Sequence, residues 1–152
     1  FSYHGIPKRQ ARKTDLTGNH CFSSVDCCEK ECPGSEDCYR AHTVQATNKV
    51  VKELGLKNEE WEIAYQSRIG PGWLTPFTDK RLAEMPDQGI KSVAILCPSF
   101  VSDCLETLEE IDIRGRDTFI NAGGENMTYI PCLNESENTI DLLESLVLEN
   151  NK

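Results

Sequence analysis

Lys91-Ser92-Val93-Ala94-Ile95-Leu96-Cys97 is a short, continuous apolar run, broken at once by Pro98-Ser99-Phe100-Val101-Ser102. It is too short for a core helix and fits a strand buried on both faces of a parallel sheet. Such a strand needs a covering layer on each side, and the flanking patterns supply helices. Ala41, Val44, Val50, Val51 and Leu54 form a helical stripe from about Tyr39, with Gly55 as its stop. Trp61-Glu62-Ile63-Ala64-Tyr65 alternates like a strand, and Gln66 to Trp73 reads as a Gly/Pro loop. Thr78 is placed to cap a helix reaching Met85 or Gln88. Ser102 or Asp103 can cap the next, which carries Leu105, Leu108, Ile111 and Phe119 and stops near Gly123-Gly124. Asn126 to Pro131 is a further strand. A last helix starts near Glu137 with Ile140, Leu143, Leu146 and Val147 on one side, and frays in Glu149-Asn150-Asn151-Lys152.

With Phe1-Ser2-Tyr3-His4 as a leading strand, the order is β-loop-α-β-α-β-α-β-α. The expected fold is α/β: one domain over 1–152, with a four-stranded parallel sheet flanked by helices and right-handed crossovers. All strand ends then share one rim, where open α/β sheets bind ligands. His4, just before Gly5-Ile6-Pro7, the loop from Gln66 to Trp73, and the loop from Pro98 to Glu106 fall on that rim. A lone histidine at a chain start reads equally as a surface residue. Beginning on a strand, without Met, the chain is expected to belong to a larger protein.

The 152 residues carry 25 acidic and 16 basic side chains, a formal net charge of -9. That balance argues against nucleic acid as a partner. The one basic cluster, Lys8-Arg9-Gln10-Ala11-Arg12-Lys13, reads as a solvated loop. No apolar run is long enough to span a bilayer and no signal peptide is expected, so the location expected is cytoplasmic, or peripheral to the inner membrane.

Asp103, Glu106 and Glu110 are three and four residues apart and would share one helix face. A charged row is commonly a solvated face. Its start on the same rim as His4 favours chemistry instead. A neutral imidazole accepts protons, carboxylates bind divalent cations, and together they suit proton abstraction coupled to metal delivery.

Eight cysteines are present, five of them in Cys21-x5-Cys27-Cys28-x3-Cys32-x5-Cys38. A disulfide scaffold would spread its thiols; one loop holding five favours metal binding in a reducing compartment. The loop belongs to an irregular stretch from 5 to 37, with the cysteine-rich insertion over 14–38. Four thiolates suit an iron–sulfur cluster or a structural zinc; paired CxxC motifs are missing, which makes zinc the weaker choice. The ligands expected are Cys21, Cys28, Cys32 and Cys38, with Cys27 as the alternative to Cys28. A loop without metal is the bland reading. His20 and His42 flank the loop as bystanders or substitutes. Cys97 and Cys132 read as small buried hydrophobes. Cys104, at the head of the acidic helix, is where a helix N-terminus lowers a thiol's pKa.

Three motifs, Phe1-Ser2-Tyr3-His4-Gly5-Ile6-Pro7, Tyr65-Gln66-Ser67-Arg68-Ile69-Gly70-Pro71-Gly72-Trp73-Leu74, and Ser99-Phe100-Val101-Ser102-Asp103-Cys104-Leu105-Glu106-Thr107-Leu108-Glu109-Glu110-Ile111-Asp112, closely resemble the C-terminal half of bacterial ferrochelatases, in order and over nearly the whole chain. The resemblance implies one of two flavodoxin-like lobes, with the other lobe as partner. It implies insertion of ferrous iron into a porphyrin, protoporphyrin or coproporphyrin, in haem synthesis. His4 takes the place of the family's active-site histidine, and Glu106 and Glu110 those of its acidic residues; His4 and Glu106 would meet the substrate iron. Trp73, Phe100, Ser102 and Gln66 would line the porphyrin pocket. Many members carry a [2Fe-2S] cluster, held in some bacterial ones by an internal cysteine insertion such as this. Cys104 stands where many members have histidine, so no role of that histidine carries over. Competing readings are a non-catalytic iron–sulfur or zinc module, and a chelatase for another metal or tetrapyrrole.

Overall fold

The computed structural model describes residues 1–30 and 32–151. Four strands, β1 (Ser2–His4), β2 (Ala64–Gln66), β3 (Ser92–Leu96) and β4 (Asn126–Ile130), alternate with six α-helices. These are α1 (Lys8–Ala11), α2 (Tyr39–Leu54), α3 (Thr78–Glu84), α4 (Leu105–Thr107), α5 (Arg116–Asn121) and α6 (Glu137–Asn150). The mixed α/β class and the parallel strands are as expected. Backbone pairing divides the strands two by two: β1 with β2, Ser2 opposite Ala64, and β3 with β4, Ser92 opposite Asn126. Side chains bridge the two pairs. The His4 N–H donates to Ser99 Oγ at 3.0 Å, and the Cys97 thiol to Gln66 Oε1 at 3.5 Å.

Around β3 and β4, Leu82, Ile95, Cys97, Ile111, Phe119 and Met127 form the largest apolar core, with Phe119 fully buried. Burying a side chain such as Phe119 contributes about 1.5–3 kcal/mol. β3 was expected to be covered on both faces. Its covered face carries Ile95, followed by Cys97, while Ala94 on the other face is exposed.

Tyr39, Thr43 and Thr47 lie four residues apart and share one face of α2. The Tyr39 hydroxyl donates to the His4 carbonyl at 2.8 Å, Thr43 bonds the Tyr65 hydroxyl at 2.9 Å, and Thr47 bonds the Tyr3 hydroxyl at 2.8 Å. A polar stripe therefore docks the helix on β1 and β2 beside the expected apolar one. Gly55 ends α2 at φ 66°, the left-handed cap expected.

Other boundaries shift. β2 takes in Gln66. The cap before α3 is Phe77, because Thr78 is buried and bonds Ser2 Oγ at 2.8 Å. α4 is capped by Cys104, whose N–H donates to Thr107 Oγ1 at 3.0 Å. The single helix expected after it is three segments, since Leu108–Gly115 is π-helical. The basic cluster is no loop: it forms α1 and a following 3-10 turn, Arg12–Thr14. On α6, Ile140, Leu143, Leu146 and Val147 are 52%, 47%, 46% and 58% exposed, so their stripe is not core within this chain.

Candidate functional site

β1 ends at His4, and both peptide groups of that residue are held. Its N–H goes to Ser99 and its carbonyl accepts from Tyr39. Its ring Nδ1 lies 2.7 Å from the Gly5 carbonyl oxygen. A carbonyl only accepts, so Nδ1 carries a proton, and Nε2 is the nitrogen that gains or gives up the second one. The Phe100 ring stands 6.0 Å from the imidazole, which is half-buried. The side chain is thus oriented, and one ring nitrogen is left as a base.

Glu106, in α4, lies close enough to His4 to feel its charge. Its carboxyl is held below the usual range, first by the Cys104 thiol and also by the charge of the nearby His4. Glu110, in the π-helical segment, accepts from the Ser67 N–H at 2.7 Å and the Ser67 hydroxyl at 2.6 Å. Ser67 has φ 60°, a left-handed conformation that turns both donors the same way. Ser67 is a site residue that sequence spacing did not reveal.

Asp103 leaves the expected acidic row, because α4 begins after it. Its carboxylate accepts from the Tyr129 hydroxyl, from Asn134 Nδ2 at 2.9 Å and from the Cys132 N–H at 3.1 Å. These bonds, that of Tyr129 foremost, hold its pKa well below the ordinary value. It anchors the β3 and β4 loops together instead of facing His4.

Trp73 is stitched against the segment that follows β1. Lys8 N–H donates to the Gly72 carbonyl and Leu74 N–H to the Ile6 carbonyl, at 2.8 and 2.9 Å. A Cβ on Gly5 would meet the Trp73 ring at 3.3 Å and the Gln66 carbonyl at 2.8 Å, so only glycine allows this approach. Phe100 is half-buried between His4 and the main core, and Ser102 is exposed. Gln66, expected to line a pocket, is only 3% exposed. Its Oε1 accepts from Ser2 Oγ and Cys97, and its Nε2 donates to the Glu106 carbonyl, so it braces the rim from behind.

Some way along the chain, Cys21, Cys27, Cys28, Cys32 and Cys38 line one small cavity with Asp15 and His20. All eight cysteines are free. Asp15 shapes the loop by accepting the N–H groups of Thr17, Gly18, His20 and Cys21. Arg40 donates to Cys27 Sγ at 3.1 Å. Burial pushes the Cys28 thiol up to about 12 and Cys21 to about 11. His20 and His42 each direct Nε2 at a backbone carbonyl, of Cys27 and Glu36, as bystanders do. The donor chemistry fits a thiolate-bound metal group. Among the described residues, though, no three His, Cys, Asp or Glu side chains already stand at ligating separation. Cys97 is buried as expected, and Cys132 is half-buried.

Among the described residues no helix is long and apolar enough to cross a membrane. A family model described as Ferrochelatase matches residues 1–151. A ferrochelatase of Stutzerimonas stutzeri (strain A1501) is 43% identical over 148 residues, which cover 96% of this chain and 43% of that protein. One of Opitutus terrae is 45% identical over 148 residues, covering 97% of this chain and again 43% of the relative. The chain thus spans less than half the length of the curated relatives it matches. With that match over residues 1–151 and relatives 43% and 45% identical over nearly all of it, the chain belongs to the ferrochelatase family.

Proposed function

We propose that this chain is the C-terminal lobe of an enzyme that inserts ferrous iron into a porphyrin, protoporphyrin or coproporphyrin, in haem biosynthesis. The observation that carries the reading is the free Nε2 of His4, on a ring whose other nitrogen is committed to the Gly5 carbonyl, with Glu106 beside it. Metal insertion requires two pyrrole protons to leave. Nε2 of His4 accepts them one at a time, passing the first to solvent before it takes the second, and Glu106 and Glu110 draw ferrous iron, the substrate, toward the ring. Trp73, Phe100 and Ser102 face the macrocycle. The other lobe, in the rest of the polypeptide, closes the cleft in the cytoplasm or at the inner membrane face. The test is His4→Ala in the full-length protein. Iron insertion should fall roughly 10²- to 10⁴-fold, the usual worth of a positioned acid–base group. Near-normal insertion would reject the assignment.

The cysteine-lined cavity supports a [2Fe-2S] cluster held by Cys21, Cys28, Cys32 and Cys38, with Cys27 as the alternative fourth ligand. When bound, the cluster supplies a one-electron redox centre and a cross-link for an otherwise irregular loop. Anaerobically purified full-length protein should contain iron and acid-labile sulfide in equal amounts and absorb in the visible. Zinc without sulfide would replace the cluster with a structural metal.

A further inference from the structure

Arg40 takes no part in the iron-insertion chemistry above. It stands in the first turn of α2, between Cys38 and Ala41, which both line the cysteine cavity. The side chain is half-buried, and one guanidinium N–H group donates to Cys27 Sγ at 3.1 Å. Cys28 Sγ lies 3.9 Å from that sulfur, so the cation stands beside both candidates for the fourth ligand. Acidic side chains outnumber basic ones in this chain, 25 to 16, yet this arginine turns to a sulfur. Among the described residues no carboxylate forms an ion pair with Arg40. Asp15, the carboxylate lining the same cavity, is spent on backbone N–H groups of its own loop.

The guanidinium is also held in place. Its centre lies 5.2 Å from the centre of the Phe22 ring, next to Cys21 in the chain. Lys8 and Arg12 face the same ring at 5.9 and 5.3 Å, but among the described residues neither bonds a sulfur. A ring face holds a cation without neutralising it, so the charge of Arg40 is left for the cavity. Arginine suits such a place, because it is charged at every working pH and only weakly hydrated. A group held by the cysteines would be an anion. In a [2Fe-2S] centre four thiolates and two sulfides outweigh two ferric ions, and one more electron, turning one iron ferrous, adds to the excess. A neighbouring cation therefore favours the reduced form, and more strongly where little water screens it. Hydrogen bonds to the ligand sulfurs act in the same direction.

We propose that Arg40 is the counter-cation of the cluster and sets its reduction potential from the side of Cys27 and Cys28. This rests on the cluster reading above. The test uses full-length protein purified without oxygen, with dithionite supplying the electron and electron paramagnetic resonance following the reduced centre. In Arg40→Gln the equilibrium constant for reduction should fall about tenfold, which for one electron is about 59 mV toward lower potential. Arg40→Lys keeps the charge and should stay within about threefold of the wild type. Iron and acid-labile sulfide per chain should match in all three proteins.

Equal potentials in the wild type and Arg40→Gln, or a shift of the same size in Arg40→Lys, would overturn the proposal. If Arg40→Gln loses the cluster on purification, the lysine variant decides. Its iron, sulfide and potential should stay near the wild-type values, and loss of the cluster there too would overturn the counter-cation. A wild type without iron and sulfide, or with zinc in their place, overturns the cluster reading and the counter-cation with it. A wild type whose cluster has a potential indifferent to Arg40 overturns the counter-cation alone.

Discussion

His4 and Asp103 show how differently two polar residues on one rim are used. His4 is fixed through its backbone and keeps a ring nitrogen free, whereas Asp103 spends its carboxylate on Tyr129, Asn134 and Cys132. Those bonds favour the charged form and depress the folded pKa of Asp103 below its unfolded value, about 3.9. Its contribution to stability is therefore present above that value and is lost as pH falls through it toward the folded pKa. Asp103→Asn should melt at a lower temperature than the wild type at pH 7, and the gap should narrow as the pH drops below about 4. A gap that stays constant down to pH 3 would show that the carboxylate charge is not what the loops require. Asp103 could be placed at the head of a helix from its neighbours. Its inward turn could not, because Tyr129, its closest partner, lies 26 residues away.

At the scale of elements, α2 explains why β1 can be three residues long and still aim a side chain. Its hydroxyl stripe reaches Tyr3, His4 and Tyr65 on the two adjacent strands. Tyr65 is 2% exposed, and burial pushes its phenol up to about 12. Thr43 is its hydroxyl's partner, so Thr43→Ala strands a buried donor and should cost about 1–3 kcal/mol. Adding Tyr65→Phe should restore most of the loss, because both ends of the bond are then gone. Denaturant titration of the two single variants and the double variant measures this, and simple additivity of the losses would refute it. The apolar stripe of α2 was visible in the chain. The polar stripe at the same helical spacing was visible too, but threonine and tyrosine at such positions ordinarily read as solvent-facing, and only the strands beneath give them partners. The π-helical segment carries no signal of its own in the hydrophobic pattern, so the placement of Glu110 against Ser67 was out of reach of periodicity.

For the whole molecule, the exposed stripe of α6 and the exposed side of β3 are the main departures from the expected sheet covered by helices on both faces. Both agree with a chain that spans 43% of its relatives' length. Expressed without the remainder of the enzyme, the 152 residues should bind a hydrophobic dye strongly and insert no measurable iron into porphyrin, since half the proposed cleft is missing. The full-length protein should do the reverse in both assays. Full activity from the short chain would mean that the cleft is built within it.

The alternation of strands and helices, the cap at Gly55, the place of His4 at a strand end and the gathering of five cysteines in one loop were all written in the chain. Each depends on local periods, turn chemistry or composition. The tertiary structure alone decided that Ser67 clamps Glu110 across 43 residues, that Gln66 braces the rim from behind, and that Asp103 turns away from the acidic row. It alone turned the basic segment after Pro7 from a solvated loop into the wall of a cavity. The physical reason is common to all of these. A periodic pattern reports which side of an element leaves water, while the partner of a polar group is chosen by whatever distant segment packing brings within about 3 Å of it.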